Sequence, residues 1–273
     1  MEINKIYNEN CLDTMARMED NFIDLTVTSP PYDNLRNYNG YCFDFESVAK
    51  ELYRVTKQGG VVVWVVGDST LKGSETGTSF KQALFFKKCG FNLHDTMIYL
   101  KANTGGARGS NKAYWQSFEY MFVLVKGKIN TYNLIEDREN IKTKPLIAKG
   151  KRNKNGSITK GVMHTPKKLG RRFNVWRISS GSKKIKEHPA IFPEQLANDH
   201  IISWSNENDL VYDPFMGSGT VAKMSIINNR NWIGSEISSE YCEIIEERVK
   251  KAWEEKKKTY KHKLYLEHRS KHL

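Results

Sequence analysis

No stretch of this 273-residue sequence approaches the roughly 20 consecutive apolar residues that would span a bilayer; the longest strongly apolar run is Val61 to Val66. A secretory leader is missing too, because Met1-Glu2-Ile3-Asn4-Lys5 is not a basic segment followed by an apolar one. These absences argue against a membrane protein or an exported one and make the cytoplasm the expected location. Cysteine is scarce and scattered. Cys11, Cys42, Cys89 and Cys242 form no Cys-x-x-Cys pair and have no matching cluster of histidines, which argues against a zinc site or disulfide framework on spacing grounds and favours free thiols. No internal repeat is visible.

Acidic residues are nearly absent from one segment. Between Lys142 and Glu187 there are fifteen Lys or Arg and a single acid, Glu187, in a chain whose formal net charge is +12. So basic and apolar-poor a stretch is either a solvated loop or a surface for a polyphosphate. Elsewhere the composition is that of a soluble globular protein, with 39% hydrophobic and 27% charged residues. The length suits one large α/β domain or a domain with an insertion.

Asp24-Leu25-Thr26-Val27-Thr28 is a β-prone run that stops at Ser29-Pro30-Pro31-Tyr32, since proline lacks the N–H that a central strand donates. Phe45, Val48, Leu52 and Val55 recur at helical spacing, with Gly59-Gly60 expected to end that helix before a buried strand over Val61–Val66. Ser79 and Gln82 suggest a capping box for a second helix that carries Leu84 and Phe85 inward and stops at Gly90. Strands are expected at Met97–Leu100 and Tyr120–Val125. After the basic segment, Pro193 opens a helix carrying Leu196, His200, Ile201 and Trp204 inward. A strand over Leu210–Tyr212, a helix from about Gly219 to Asn229 and a strand at Trp232–Gly234 then make a β-α-β unit. A last helix with Ile245, Val249 and Trp253 on one face fades into a Lys-rich tail. This alternation predicts a parallel-rich α/β sheet covered on both faces.

Two motifs carry chemistry. The first is Asp213-Pro214-Phe215-Met216-Gly217-Ser218-Gly219-Thr220, set between a strand and a helix, whose glycines permit a sharp turn and close approach to a ligand. Glu236 follows 19 residues after Gly217, at the end of the next strand, where an acid can bind ribose hydroxyls. Strand, glycine loop, helix, strand and acid in that order point to a nucleoside-like cofactor; the glycine string alone would also suit a dinucleotide oxidoreductase. The second motif is Ser29-Pro30-Pro31-Tyr32. By itself it reads as a rigid turn, but ligands of open α/β sheets bind outside the carboxyl ends of strands, which is where it lies. Its Ser hydroxyl and Pro carbonyl are acceptors suited to orienting an amino group, and its Tyr offers a flat face for an extrahelical base.

A Thr-Ser-Pro-Pro-Tyr box paired with an Asp-Pro-Phe-x-Gly-Ser-Gly-Thr loop resembles the DNA amino-methyltransferases, the N4-cytosine and N6-adenine enzymes. With the box before the loop and the basic stretch between them, the order resembles the circularly permuted beta class of that family, over nearly the whole chain. The resemblance implies a Rossmann-like fold, S-adenosylmethionine as cofactor and no metal. Double-stranded DNA is the implied partner, which would associate the protein with the nucleoid; a cognate restriction endonuclease and a homodimer stay open. The expected organisation is a catalytic half over 1–126, a target-recognition region over 127–187, a cofactor-binding half over 188–255 and a basic tail over 256–273.

Residue by residue, the resemblance implies that Ser29, Pro30, Pro31 and Tyr32 are catalytic. Asn10 and Cys11, in an Asn-Cys-Leu element where the family usually has Asp, would lie near the cofactor adenine. His188 and Phe192, in His188-Pro189-Ala190-Ile191-Phe192-Pro193, would help hold the methionine end. Asp213, Phe215, Gly217, Ser218, Gly219, Thr220 and Glu236 would complete the cofactor site. Lys151, Arg152, Lys154, Lys167, Lys168, Arg171, Arg172, Lys183 and Lys184 would meet DNA. Ser before Pro-Pro is typical of the N4-cytosine enzymes, whereas Asp or Asn marks the N6-adenine ones, so Ser29 favours cytosine. None of the cysteines follows a proline, so the Pro-Cys nucleophile of ring-carbon cytosine methylation is missing. An N6-adenine enzyme, an RNA methyltransferase and a non-catalytic DNA-binding module on the same scaffold are the rival readings.

Overall fold

A computed structural model describes residues 1–31, 43–102, 112–141, 144–147, 150–161, 163–179 and 192–270. The chain divides into two compact units, Met1–Asn133 with Asn174–Leu273, and Leu134–Phe173. In chain order the elements are β1 (Lys5–Tyr7), α1 (Cys11–Ala16), β2 (Ile23–Thr28), α2 (Phe45–Val55), β3 (Thr56–Val66), β4 (Thr70–Leu71), β5 (Ser74–Glu75), α3 (Thr78–Cys89), β6 (Phe91–Lys101) and β7 (Phe118–Lys126). The second unit holds β8 (Arg138–Glu139), β9 (Leu146–Ile147), β10 (Met163–His164) and β11 (Leu169–Gly170). The first resumes with β12 (Val175–Ile178), α4 (Glu194–Trp204), β13 (Leu210–Asp213), α5 (Thr220–Ile227), β14 (Asn231–Ser235) and α6 (Ser239–Ser270).

Eight strands make the main sheet in the order β1-β14-β13-β2-β3-β7-β6-β12. β7 pairs antiparallel with β3 and β6, and the other neighbours are parallel. Successive side chains of a strand face opposite sides, so Val61 to Val66 feeds two cores at once. Val62, Trp64 and Val66 join α1, α2 and α3 on one face, while Val61, Val63 and Val65 meet α4 and α5 on the other. Burial on both faces explains why this run is apolar without alternation. Trp64, which is fully buried, donates its indole N–H to the Gln82 amide oxygen at 2.8 Å, so its one polar atom is satisfied within the core.

The crossovers decide where a ligand can sit. From β13 the chain passes through α5 to β14 on one side, whereas from β2 it passes through α2 to β3 on the other, and α2 and α5 cover opposite faces. Since β13 and β2 are direct neighbours, with Val211 opposite Leu25 and Tyr212 opposite Thr26, the strand order reverses between them. A crevice opens at such a reversal, at the carboxyl ends of the strands. The glycine loop leaves β13 and the Ser-Pro-Pro box leaves β2 at that edge.

Local details correct several expectations. Gly59 and Gly60 lie inside β3 and do not end α2, which stops at Val55; a side chain on Gly60 would meet the Asp24 carbonyl at 2.9 Å, so strand packing requires that glycine. The capping box at Ser79 is replaced by a distant carboxylate. Helix α3 starts after Gly77, and Asp68 accepts from the Ser79 amide at 2.9 Å and from its hydroxyl, while Gln82 is turned to Trp64. Leu84 is 65% exposed, contrary to expectation, whereas Phe85 packs half-buried against the core as expected and Ala83 and Phe86 are buried beside it. On α6, Cys242, Ile245 and Ala252 are buried and Val249 packs half-buried against them as expected, whereas Trp253 is exposed. That helix continues through the tail to Ser270. Pro193 is the cap before α4, and Leu196, His200, Ile201 and Trp204 are all buried as expected.

The Leu134–Phe173 unit is narrower than the 127–187 span expected for the insertion, because Val175–Ile178 pairs in parallel with β6 and extends the main sheet. Within the unit, β8 pairs with β11 and β9 with β10. Lys151 and Thr159 exchange hydrogen bonds, Arg152 pairs with Ile158, and Gly156 adopts a φ of 83° at the turn, which makes residues 151–159 a tight hairpin. Among the described residues no helix is long and apolar enough to cross a membrane.

Candidate active site

Thr28, the last residue of β2, donates its hydroxyl to Asp213 Oδ1 at 2.7 Å, and the Phe215 amide reaches the same oxygen at 3.0 Å. One buried carboxylate thereby ties the strand that ends in the box to the loop that leaves β13. Burial pushes the Asp213 carboxyl up to about 7 in spite of these two donors, with the nearby Glu236 charge adding to the rise. Directly after Thr28, Pro30 is buried while Ser29 and Pro31 are half-buried, which puts the start of the box just past the carboxyl end of β2. Tyr32 lies outside the described residues.

Glu236 follows β14. One carboxylate oxygen accepts from the Gly217 amide at 2.8 Å and the other from the Ser238 amide at 2.9 Å. Burial raises its pKa, and these backbone donors oppose the rise. A carboxylate has roughly four lone-pair sites, so acceptor capacity is left for a vicinal diol. Gly217 has a φ of 52° and Gly219 of 78°, the left-handed region that favours glycine. At Gly219 the close neighbour is Ile245 of α6, 3.1 Å from where a side chain would begin, so this glycine serves helix packing rather than ligand approach. Gly234 on β14 does the same for Met216 of the loop, whose sulfur would lie 2.3 Å from an added carbon.

Asn10 is the cap of α1, its side-chain oxygen accepting from the Leu12 amide at 2.9 Å. Cys11 is 2% exposed, and burial pushes its thiol up to about 12, with Asp213 close enough to contribute. Cys11 therefore lies near Asp213, where the glycine loop begins. Phe215 meets Phe43 edge-on, with ring centroids 5.3 Å apart, and lies 6.2 Å from Trp64. Phe192 packs on the core under α4, and His188 lies outside the described residues. The arrangement gathers an aromatic wall, a buried acid with spare acceptor capacity and a two-glycine turn, a set that fits an adenosyl group.

Three contributors escape sequence reasoning. Thr28 looks like an ordinary strand residue, Phe43 belongs to no motif, and Arg248 is one cation among many on a charged helix. Arg248 donates to the Ser218 carbonyl, the Ser218 hydroxyl at 2.9 Å and Glu194 at 3.0 Å. Only its spacing from Ile245, three positions along α6, hints that it faces the loop.

In the second unit, the cations named from sequence sort into two groups. Lys167 is paired with Glu136 at 2.9 Å and Arg172 with Asp137 at 2.5 Å, whereas Lys151, Arg152 and Lys154 are exposed on the 151–159 hairpin. Lys168 is exposed, Arg171 gives its carbonyl to Arg138 at 2.9 Å, and Lys183 and Lys184 lie outside the described residues.

The sequence profile of the N6/N4 DNA methylase family matches residues 23–247. The orphan methyltransferase M.BamHII of Bacillus amyloliquefaciens is 59% identical over 237 residues, 84% of this chain and 89% of that protein. The type II methyltransferase M.HpaI of Haemophilus parainfluenzae is 30% identical over 256 residues, 88% of this chain and 72% of its own length. Among solved structures, the PvuII DNA methyltransferase (cytosine-N4-specific) superposes with a TM-score of 0.65 at 19% identity, over 89% of this chain and 85% of that one. The complex of M1.HpyAVI with S-adenosylmethionine does so with a TM-score of 0.62 at 21% identity, over 90% and 98%. The chain belongs to this family of S-adenosylmethionine-dependent DNA amino-methyltransferases, in its beta-class order.

Proposed function

We propose that the enzyme methylates the exocyclic N4 of cytosine in duplex DNA, at a base rotated out of the helix. The observation that carries this reading is Ser29, placed at the switch point one residue beyond the Thr28–Asp213 bond that joins box to cofactor loop. When bound, S-adenosylmethionine supplies a methyl group on a sulfonium sulfur, open to displacement by a nitrogen lone pair. That lone pair is delocalised into the cytosine ring. The Ser29 hydroxyl and the Pro30 carbonyl accept the amine N–H groups, hold the nitrogen in a more tetrahedral geometry and aim it, so that catalysis is chiefly positioning. Tyr32 stacks on the extruded base. Glu236 takes the ribose hydroxyls, Phe215 and Phe43 border the adenine, and the Leu134–Phe173 unit reads the duplex, with Lys151, Arg152 and Lys154 on phosphates.

The test is mass spectrometry of nucleosides from DNA treated with the enzyme and S-adenosylmethionine. N4-methylcytosine is expected; N6-methyladenine in its place would overturn the base assignment and leave the family standing. Ser29→Ala should lower turnover on the order of 100-fold, the scale of removing one well-placed hydrogen-bonding group from an active site, while leaving cofactor affinity unchanged. Full activity in that variant would refute the role of the box.

A further inference from the structure

Arg248 is 14% exposed, an unusual place for a guanidinium on a helix otherwise rich in solvated charge. Its Nη1 donates to the carbonyl and hydroxyl of Ser218 and lies 3.3 Å from the Thr220 hydroxyl, while Nη2 donates to Glu194 Oε1 at 3.0 Å. Glu194 is also held by Lys223 of α5 at 2.8 Å. Desolvating a cation in this way is costly, and an ion pair with a half-exposed carboxylate is a poor way to add stability. What the arrangement does well is fix geometry. Glu236 holds the glycine loop through the Gly217 amide, and Arg248 holds it at the next residue through the Ser218 carbonyl. Its second nitrogen reaches the first residue of α4, immediately after Phe192-Pro193.

We propose that Arg248 is a positioning residue for the cofactor, which locks the glycine loop to the start of α4 and so presets both elements before S-adenosylmethionine enters. The proposal rests on the loop from Asp213 to Thr220 being the cofactor site. A preset loop spends less binding energy on ordering, so the effect falls on cofactor affinity and not on the transfer step. A lysine can reach one of the two anchors, but it lacks the planar fork that holds both.

The experiment titrates S-adenosyl-L-homocysteine into the ligand-free protein by calorimetry, and measures kcat and KM for S-adenosylmethionine on duplex DNA. It compares the parent chain with Arg248→Met, Arg248→Lys and Glu194→Gln. Arg248→Met should weaken S-adenosyl-L-homocysteine binding by about ten-fold or more and raise KM in parallel, with kcat at saturation nearly unchanged. Arg248→Lys should fall between Met and parent. Unchanged affinity and KM in a folded Arg248→Met protein, whatever its melting temperature, would overturn the proposal and leave a structural role. Should Arg248→Met fail to fold, Glu194→Gln decides: weaker binding at a near-normal melting temperature supports the clamp, and parental affinity refutes it. A parent chain that does not bind S-adenosyl-L-homocysteine would instead refute the cofactor loop itself.

Discussion

Replacing Asp213 by Asn should make the protein more stable at neutral and alkaline pH. The carboxyl is 4% exposed, and burial lifts its pKa from an ordinary 3.8 to about 7 despite hydrogen bonds from Thr28 and Phe215. A difference of about 3 units, at about 1.36 kcal/mol each, makes the ionised form about 4 kcal/mol more expensive in the folded state than in the unfolded chain. The folded state binds the proton more tightly, so the stabilising contribution is complete below about pH 3.8. It is lost as pH rises and is gone above about 7. Asp213→Asn retains an acceptor oxygen for the Thr28 hydroxyl and the Phe215 amide but carries no charge at any pH. Urea unfolding of parent and variant from pH 4 to 8 reads the effect, because groups not coupled to Asp213 cancel in the difference. Variant minus parent should be near zero at pH 4 and climb by about 4 kcal/mol by pH 8. A difference that stays flat, or that falls as pH rises, would refute the claim that burial raises the pKa of the acid tying the box to the glycine loop. A carboxylate kept at such a cost to the fold fits the pattern of functional sites, where local rules are broken for chemistry.

His200 should act in the opposite sense. It is fully buried, its Nδ1 accepts from the Trp204 indole at 3.2 Å, and burial pushes its pKa from 6.5 down to about 3. Its contribution is therefore present above pH 6.5 and lost as pH falls toward 3, on the order of 5 kcal/mol in total. His200→Leu should remove one proton's worth of slope from the stability curve between pH 6.5 and 4, and an unaltered slope would contradict the assignment. On DNA, Arg152→Ala and Lys154→Ala should each reduce the slope of log affinity against log salt by about 0.9, the signature of one lost phosphate contact. Arg172→Ala, whose partner is Asp137, should change it by less than half as much. Fluorescence anisotropy with a labelled duplex measures this, and equal changes in all three would refute the sorting into free and paired cations.

Much of the site was legible because its signals are local. A strand ending in Ser-Pro-Pro, a glycine loop between strand and helix, and an acid after the next strand depend on proline's missing donor and glycine's backbone freedom, which act within a few residues. Helices α2 and α4 were legible for the same reason, their apolar spacing being fixed by a 3.6-residue turn. The readings that failed assigned a local cause to a distant partner. Ser79 and Gln82 form a plausible box on paper, but Asp68 and Trp64 take those groups once the sheet is assembled. Gly59-Gly60 reads as a helix stop, but both lie within β3, and the Asp24 carbonyl of the neighbouring strand stands against Gly60.

The sequence by itself determined the two motifs, their order, the basic insertion and the family they mark. Tertiary structure decided what those motifs can do together. The reversal of strand order between β13 and β2 brings into one crevice residues that are 185 positions apart, as the Thr28–Asp213 bond shows. It also selected the cations: Lys167 and Arg172 are spent on Glu136 and Asp137, while the 151–159 hairpin holds its charge in the open. Local rules fix the backbone's choices residue by residue, but hydrogen bonds, burial and the pKa values that follow from them depend on neighbours supplied only when the sheet closes.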